Sequence, residues 1–453
     1  MLWHIPTRLT NLLHMMIAAV AACAFQTGMA AVIHVAPQDN LAQAVARAQA
    51  GDTLKLAAGV YPAKLLIDKP LTLEGAPDGR TEIRGDRTGR TIAVTAPDVV
   101  IRNLTVTQSG LSLPAMDAGI YLAETAERAL IEHNQILDNS VGVYIHGAKN
   151  AMVRENKIVG DAKLRVNERG NGVTVWNAPS AQVVGNDISQ GRDGIFSNTS
   201  SHNAYKNNRF HDLRFAVHYM YTNDSEVSGN ISVGNNIGYA MMFSDRIKVV
   251  GNIAVNSRDQ GIMLNYVNHS EIADNVIDQA GKCVFVYNAN YNKITGNYFE
   301  QCQTGIHFTA AIEGTQLGNN SFVNNENQVK YVSTRFLDWA EDGVGNYWSD
   351  NSAFDLDGDG IGDNAYRPNG ITDQIIWRAP AARLLMNSPA VMIVKWAQAQ
   401  FPALLPGGVV DSKPLMKPYE NNIMPQYRRM KAELKAAAAR SKSQWQETQN
   451  GSD

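Results

Sequence analysis

The chain has 453 residues, enough for one large core or two domains, and three cysteines. Its formal net charge of −3 is close to neutral and gives no reason to expect a nucleic-acid partner. Residues 1–30 read as a secretory signal. Arg8 sits in a short n-region, Leu12 to Phe25 form an apolar stretch, and Gly28-Met29-Ala30 supply small residues for cleavage. The stretch is short for a membrane span. Val20-Ala21-Ala22-Cys23 loosely fits a lipidation site, the alternative reading of this segment.

Next, Leu41, Ala44, Val45 and Ala48 fall on one helical face, with Asp39 or Asn40 as N-cap and Gly51 as stop. Such a helix would cover the open edge of a first β-coil. Thr53–Leu56, Ala63–Ile67, Leu71–Leu73, Thr81–Ile83, Thr91–Val94 and Val99–Val106 read as short strands separated by Gly, Asp and Pro.

From Ile131 to Phe322 the chain repeats. Nine segments read apolar-x-x-Asn-x-apolar, with asparagines at 134, 156, 186, 208, 230, 252, 275, 297 and 320. The spacing is 22 or 23 residues, except for one interval of 30. Such a period marks a solenoid. One coil of short strands cannot bury its inward side chains alone, whereas coils stacked about 4.8 Å apart can. The fold predicted is all-β, a right-handed parallel β-helix with an N-terminal capping helix and a C-terminal helical extension. The Asn column is assigned to tight bends, because Asn tolerates left-handed backbone angles; its amides can also bond to one another along the ladder. The long interval holds a polar loop, Gly160–Asn171, that projects from one edge. Cys283 and Cys302 fall on neighbouring coils but about three residues out of line, so a disulfide needs a bend.

A second column, Gly142, Gly172, Gly194, Ala216, Gly238, Gly261 and Cys283, opens a strand. Alternation points the second and fourth residues after it outward. These are Tyr144, Thr174, Phe196, His218, Ala240, Met263 and Phe285, to which the coil holding Gly305 adds His307, then His146, Trp176, Asn198, Met220, Met242, Asn265 and Tyr287. An outer face rich in rings and sulfur is either covered by another segment or binds something. His218, Met220, Met242 and Met263 come together on neighbouring coils, and imidazole with thioethers suits Cu(I). Asp355, Asp357, Asp359 and Asp363 match the start of a calcium loop, although Tyr366 stands where its bidentate Glu belongs. This marks a weak structural Ca²⁺ site or a tight acidic turn. Catalytic signs are thinner: Asp193 and Asp259, three coils apart, are too far separated for a glycosidase pair.

Beyond Phe322 the repeat fades. Ile375 to Phe401 is too interrupted to span a membrane, Pro402–Pro418 reads as linker, and Gln426–Gln446 as a basic helix or tail.

LAQAVARAQAGDTLKLAAGVYPAKLLIDKPLTLEG, GNYWSD with the following DLDGDGIGD, and SPAVMIVKWAQAQFPALLPGGVVDSKPLMKP together resemble the NosD family. This is the periplasmic β-helix component of the nitrous oxide reductase maturation system, and the likeness covers nearly all the mature chain. It implies membrane subunits of an ABC transporter, a copper-chaperone lipoprotein and nitrous oxide reductase as partners. Copper, or a copper–sulfur species, is the implied transient cargo. With it the chain divides into a signal (1–30), a β-helix (31–345), an acidic Asp/Gly-rich region (346–379) and a C-terminal docking segment with a basic helix (380–453). Trp176, Phe196, Phe285, His307, Pro389, Trp396 and Phe401 are the expected partner contacts. The alternative is a carbohydrate-binding protein or an enzyme, a β-helix polysaccharide lyase or epimerase.

Overall fold

A computed structural model describes residues 30–450 except 78, 310–312, 333–335, 341–342, 369–378, 386–387 and 401–407. The signal segment, Cys23 and Phe401 lie outside the described residues. No helix among the described residues is long and apolar enough to cross a membrane.

The chain winds through three parallel sheets that form the walls of a solenoid. Sheet A runs from Val32–Val35 to Gln316–Gly318, sheet B from Gly59–Pro62 to Tyr347–Trp348, and sheet C from Leu65–Ile67 to Asn327–Val332. Each coil donates one strand to each sheet, and the register keeps sequence columns aligned: Val227 pairs with Val249, and Val249 with Ile272. These inward residues are fully buried. Helix α1 (Leu41–Arg47) covers the first coil with Leu41 and Val45, and its N-cap is Asn40, whose side chain accepts from Gln43 N. Val99–Val106, expected as one strand, is two, Val100–Arg102 and Thr105–Thr107. The chain turns between them at Asn103 (φ 57°) and passes from sheet A to sheet B.

The asparagines line up inside the solenoid. In every step from Asn134 to Asn346, backbone N and Nδ2 both donate to the Oδ1 of the next Asn, as in Asn230 to Asn252 at 3.0 Å each. The left-handed bend is not at these residues, contrary to expectation. It falls one position earlier, at His133, Glu155, Gly185, Asn207, Gly229, Gly251, Asp274, Gly296 and Asn319. The bend turns the Asn inward, where its amide satisfies backbone groups that water cannot reach.

The ladder ends on the C-terminal segment. Asn346 N and Nδ2 and Trp348 Nε1 all donate to Asp411 Oδ2, at 2.7, 3.2 and 2.8 Å. Residues 408–418, expected as linker, therefore cap the last coil, and Gly408–Val410 pairs with Phe336–Asp338. From there the chain turns back along the solenoid. Helix α2 spans Pro389–Gln400 and helix α3 spans Met424–Asn450. Helix α3 lays Met424, Tyr427, Met430 and Leu434 on the outer face of sheet B, against Ile253, Val255, Val276 and Tyr298. Its Lys431 reaches Asp278 and Glu300 at 3.1 and 2.9 Å.

The Gly column has a steric cause. A Cβ at Gly261 would lie 2.2 Å from Ile277 Cγ2, which packs inward from sheet B. Cys283 stands at this position and is bonded to Cys302, with Cα atoms 5.7 Å apart. The disulfide doubted from straight-strand spacing forms because Cys302 sits in the bend between sheets B and C, which folds the three-residue offset back on itself.

Candidate metal centre

The outer face of sheet C carries the expected stripe. Alternation holds across adjoining coils: Val217, Tyr219, Tyr239, Met241, Ile262 and Leu264 are fully buried inside. Opposite them, Met220 and Met242 are register partners on neighbouring strands, and His218 is aligned with Ala240, which is aligned with Met263. The methyl group of Ala240 therefore separates His218 from Met263. Met242 and Met263 pack with Ala240, Ile237, Phe215 and Phe285 in a small apolar cluster. The described C-terminal helix lies on sheet B, so it does not turn this stripe into core.

His218 is held as a metal-binding histidine is held. It is 7% exposed, and Nδ1 lies 3.0 Å from Asp193 Oδ2. Arg214 grips both oxygens of Asp193 at 2.8 and 2.6 Å. Burial works to raise the Asp193 pKa, but hydrogen bonds from His218 and Arg214, with the guanidinium charge, outweigh it and hold the carboxyl below its ordinary value. With Nδ1 committed, Nε2 is left for a ligand, and it is buried without a hydrogen-bond partner among the described residues. Such an orphan costs about 1–3 kcal/mol when nothing fills it. A carboxylate behind an imidazole is the usual outer partner of a metal-ligating histidine. Asn265 Oδ1, aligned with Met242 on the next coil, is also buried and unpartnered. Sequence reasoning missed the roles of Asp193, Arg214 and Asn265. Asp259, three coils from Asp193, pairs instead with Lys282 at 3.4 Å. Both Asp193 oxygens are occupied, so the two do not act as an acid pair.

The remaining expected residues are spread out. The ring of Phe196 lies 4.9 Å from that of His218, tilted at 49° to it, and is half-buried. Trp176 is 39% exposed, two coils away from Met220, with its ring 4.5 Å from that of His146. Phe285 lies beside Met263, and its ring is 5.4 Å from that of His307. Burial, Lys330 and Lys282 press the His307 pKa down to about 4, so this imidazole is neutral at pH 7. Pro389 opens helix α2, where Trp396 is 65% exposed beside exposed Met392 and Ile393. Asp355, Asp357 and Asp359 bring ligand oxygens within 4.8 Å of one another. Asp363 instead accepts from Leu356 N at 2.9 Å.

A further feature escaped the sequence. Tyr221, Phe243 and Tyr266 form an exposed stack beside the methionines, with ring centroids 5.2 Å apart at each step. All three take left-handed backbone angles, φ 48–52°. That conformation is costly for large side chains and is kept only where the surroundings impose it.

Comparison with known proteins bears on the family of the chain. The NosD family model, described as "Periplasmic copper-binding protein (NosD)", matches residues 154–353, which include His218 and the three methionines. A protein of Stutzerimonas stutzeri called "Probable ABC transporter binding protein NosD" is 36% identical over 378 residues, covering 80% of this chain and 86% of that protein. A protein of the same description from Pseudomonas aeruginosa is 36% identical over 385 residues, covering 82% of this chain and 90% of that one. Among solved structures, the Dettilon tailspike protein matches with a TM-score of 0.55 at 15% identity, over 66% of this chain and 69% of that one, a likeness of fold alone. The chain belongs to the NosD family.

Proposed function

We propose that the chain is a non-enzymatic periplasmic carrier that takes up Cu(I) on the outer face of sheet C and hands it on in concert with an ABC transporter. The carrying observation is the buried, unpartnered Nε2 of His218 next to a thioether stripe. His218, Met220, Met242 and Met263 would hold the ion; a neutral imidazole and thioethers bind Cu(I) without adding charge. In this reading copper, or a copper–sulfur species, arrives from a lipoprotein chaperone and leaves for apo-nitrous oxide reductase. The exposed rings of Tyr221, Phe243 and Tyr266, with Trp176, Phe196, Phe285 and His307, border the site where those proteins would dock. Asp355, Asp357 and Asp359 are a candidate structural Ca²⁺ site at the far end of the solenoid. Titration of the full chain with Ag(I), a redox-inert stand-in for Cu(I), is expected to fill one tight site. A chain that binds no soft metal would sink the reading.

Helix α2 is the proposed contact with the transporter's membrane subunits, because Met392, Ile393, Val394 and Trp396 are exposed on a helix too short to span a membrane. Ile393→Glu with Trp396→Glu is expected to abolish co-purification with those subunits while leaving the solenoid folded. Co-purification at the parental level would rule this contact out.

A further inference from the structure

The insertion Gly160–Asn171 builds one wall of a pocket of about 410 Å³ that no part of the copper reading uses. Val166 and Arg169 come from the loop, and Arg214, Asn236 and Arg258 from successive solenoid coils. The loop is set in place by Arg169, whose guanidinium donates to the carbonyls of Leu164, Ala162 and Gln190 at 2.9, 2.9 and 3.3 Å. Three arginines and one carboxylate, Asp212, thus line the pocket; the Arg169 guanidinium is held by carbonyls and that of Arg214 by Asp193, which leaves Arg258 to meet an incoming anion. Arg258 is exposed, and Asn236 Oδ1 is buried without a hydrogen-bond partner. A fitting ligand therefore brings both a negative charge and an N–H donor. An Asp or Glu residue of a docking polypeptide has both: the carboxylate for Arg258, the backbone N–H for Asn236.

We propose that this pocket receives an acidic side chain of a partner protein and is coupled to the metal site through Arg214, Asp193 and His218. This rests on the copper reading above. Arg214 lies in the pocket wall and also fixes both oxygens of Asp193, which in turn orients the His218 ring. A carboxylate in the pocket competes with Asp193 for that guanidinium. Asp193 then loses its fixed position, and the imidazole loses the orientation that presents Nε2 to the metal. Docking of the partner thereby loosens the ion, and by linkage the bound ion weakens docking by the same factor. The insertion becomes the part of the carrier that reports partner arrival.

The test titrates the metal-free full chain with N-acetyl-Glu-amide, with butyrate, and with sodium chloride at matched ionic strength. The glutamate derivative is expected to saturate one site, butyrate, of equal charge, to bind more weakly for want of the N–H, and chloride not at all. Arg258→Glu, at an exposed residue outside the metal site, is expected to abolish both. Occupying the pocket is expected to weaken Ag(I) binding by about tenfold in the parent and not in Arg258→Glu. No saturable binding, or equal binding by Arg258→Glu, overturns the pocket. Butyrate binding as tightly as the glutamate derivative overturns the polypeptide ligand. Saturation without any change in Ag(I) affinity overturns the coupling. A parent that binds no Ag(I) removes the copper reading and the coupling together, and the pocket is then judged on the carboxylate titration alone.

Discussion

Asn252→Ala is expected to cost the solenoid about 4 kcal/mol, from two buried donors stranded at about 1–3 kcal/mol each. Asn252 is fully buried, and its Oδ1 accepts from both Asn230 N and Asn230 Nδ2 at 3.0 Å. Its own Nδ2 donates to Val227 O at 2.9 Å and Asn275 Oδ1 at 3.0 Å. Alanine removes the acceptor for two donors in the coil before and the donor for three acceptors, Val250 O at 3.2 Å being the third, and the interior holds no replacement. The damage also spreads, because each coil is stabilised only by its neighbours. The readout is the urea midpoint. Gln182→Ala, at an exposed strand residue of sheet A whose backbone angles suit alanine, should change stability by less than about 0.5 kcal/mol. A loss below about 1 kcal/mol at Asn252 would mean that the apolar columns, not the amide ladder, hold the coils in register.

The same ladder shows what a single sequence can and cannot reveal. The period, the inward column and the outward stripe were legible because each depends on spacing and alternation alone. The ladder's end was not. Asn346 and Asp411 are 65 residues apart in sequence, and nothing local marks Asp411 as the acceptor that closes the column. Residues 408–418 looked like linker for this reason. The bend was placed one residue late, since alternation says which face a side chain takes but not where a corner starts. Local geometry also hid the aromatic stack. Tyr221 directly follows Met220, so alternation sends it inward; its left-handed φ of 51° turns it out. The grouping of thioethers and imidazole on one face, which makes the candidate site, was legible because these residues share the columns. Asp193 was not, because it meets His218 diagonally from the neighbouring coil, a contact that column spacing does not express.

That diagonal contact carries the largest functional expectation. His218→Ala combined with Met220→Ala, Met242→Ala and Met263→Ala is expected to abolish tight Ag(I) binding, since every thioether of the stripe and the imidazole beside them are then gone. Asp193→Asn separates ligation from orientation. All four ligands remain, but the amide offers Arg214 one acceptor in place of two and no longer presents a charged oxygen to Nδ1. Removing an outer partner of this kind costs on the order of 10- to 100-fold in metal affinity. Arg214→Gln should fall in the same range, because it frees Asp193 without touching the imidazole. Competition with a chromophoric chelator measures each affinity, and circular dichroism confirms that the coils remain stacked. The order expected is parent, then Asp193→Asn and Arg214→Gln together, then the four-ligand variant. If Asp193→Asn matched the parent while the four-ligand variant lost binding, the metal would be held by thioethers alone, and the buried Nε2 of His218 would have no part in it. If the four-ligand variant itself bound Ag(I) like the parent, the stripe would be a protein-docking face only.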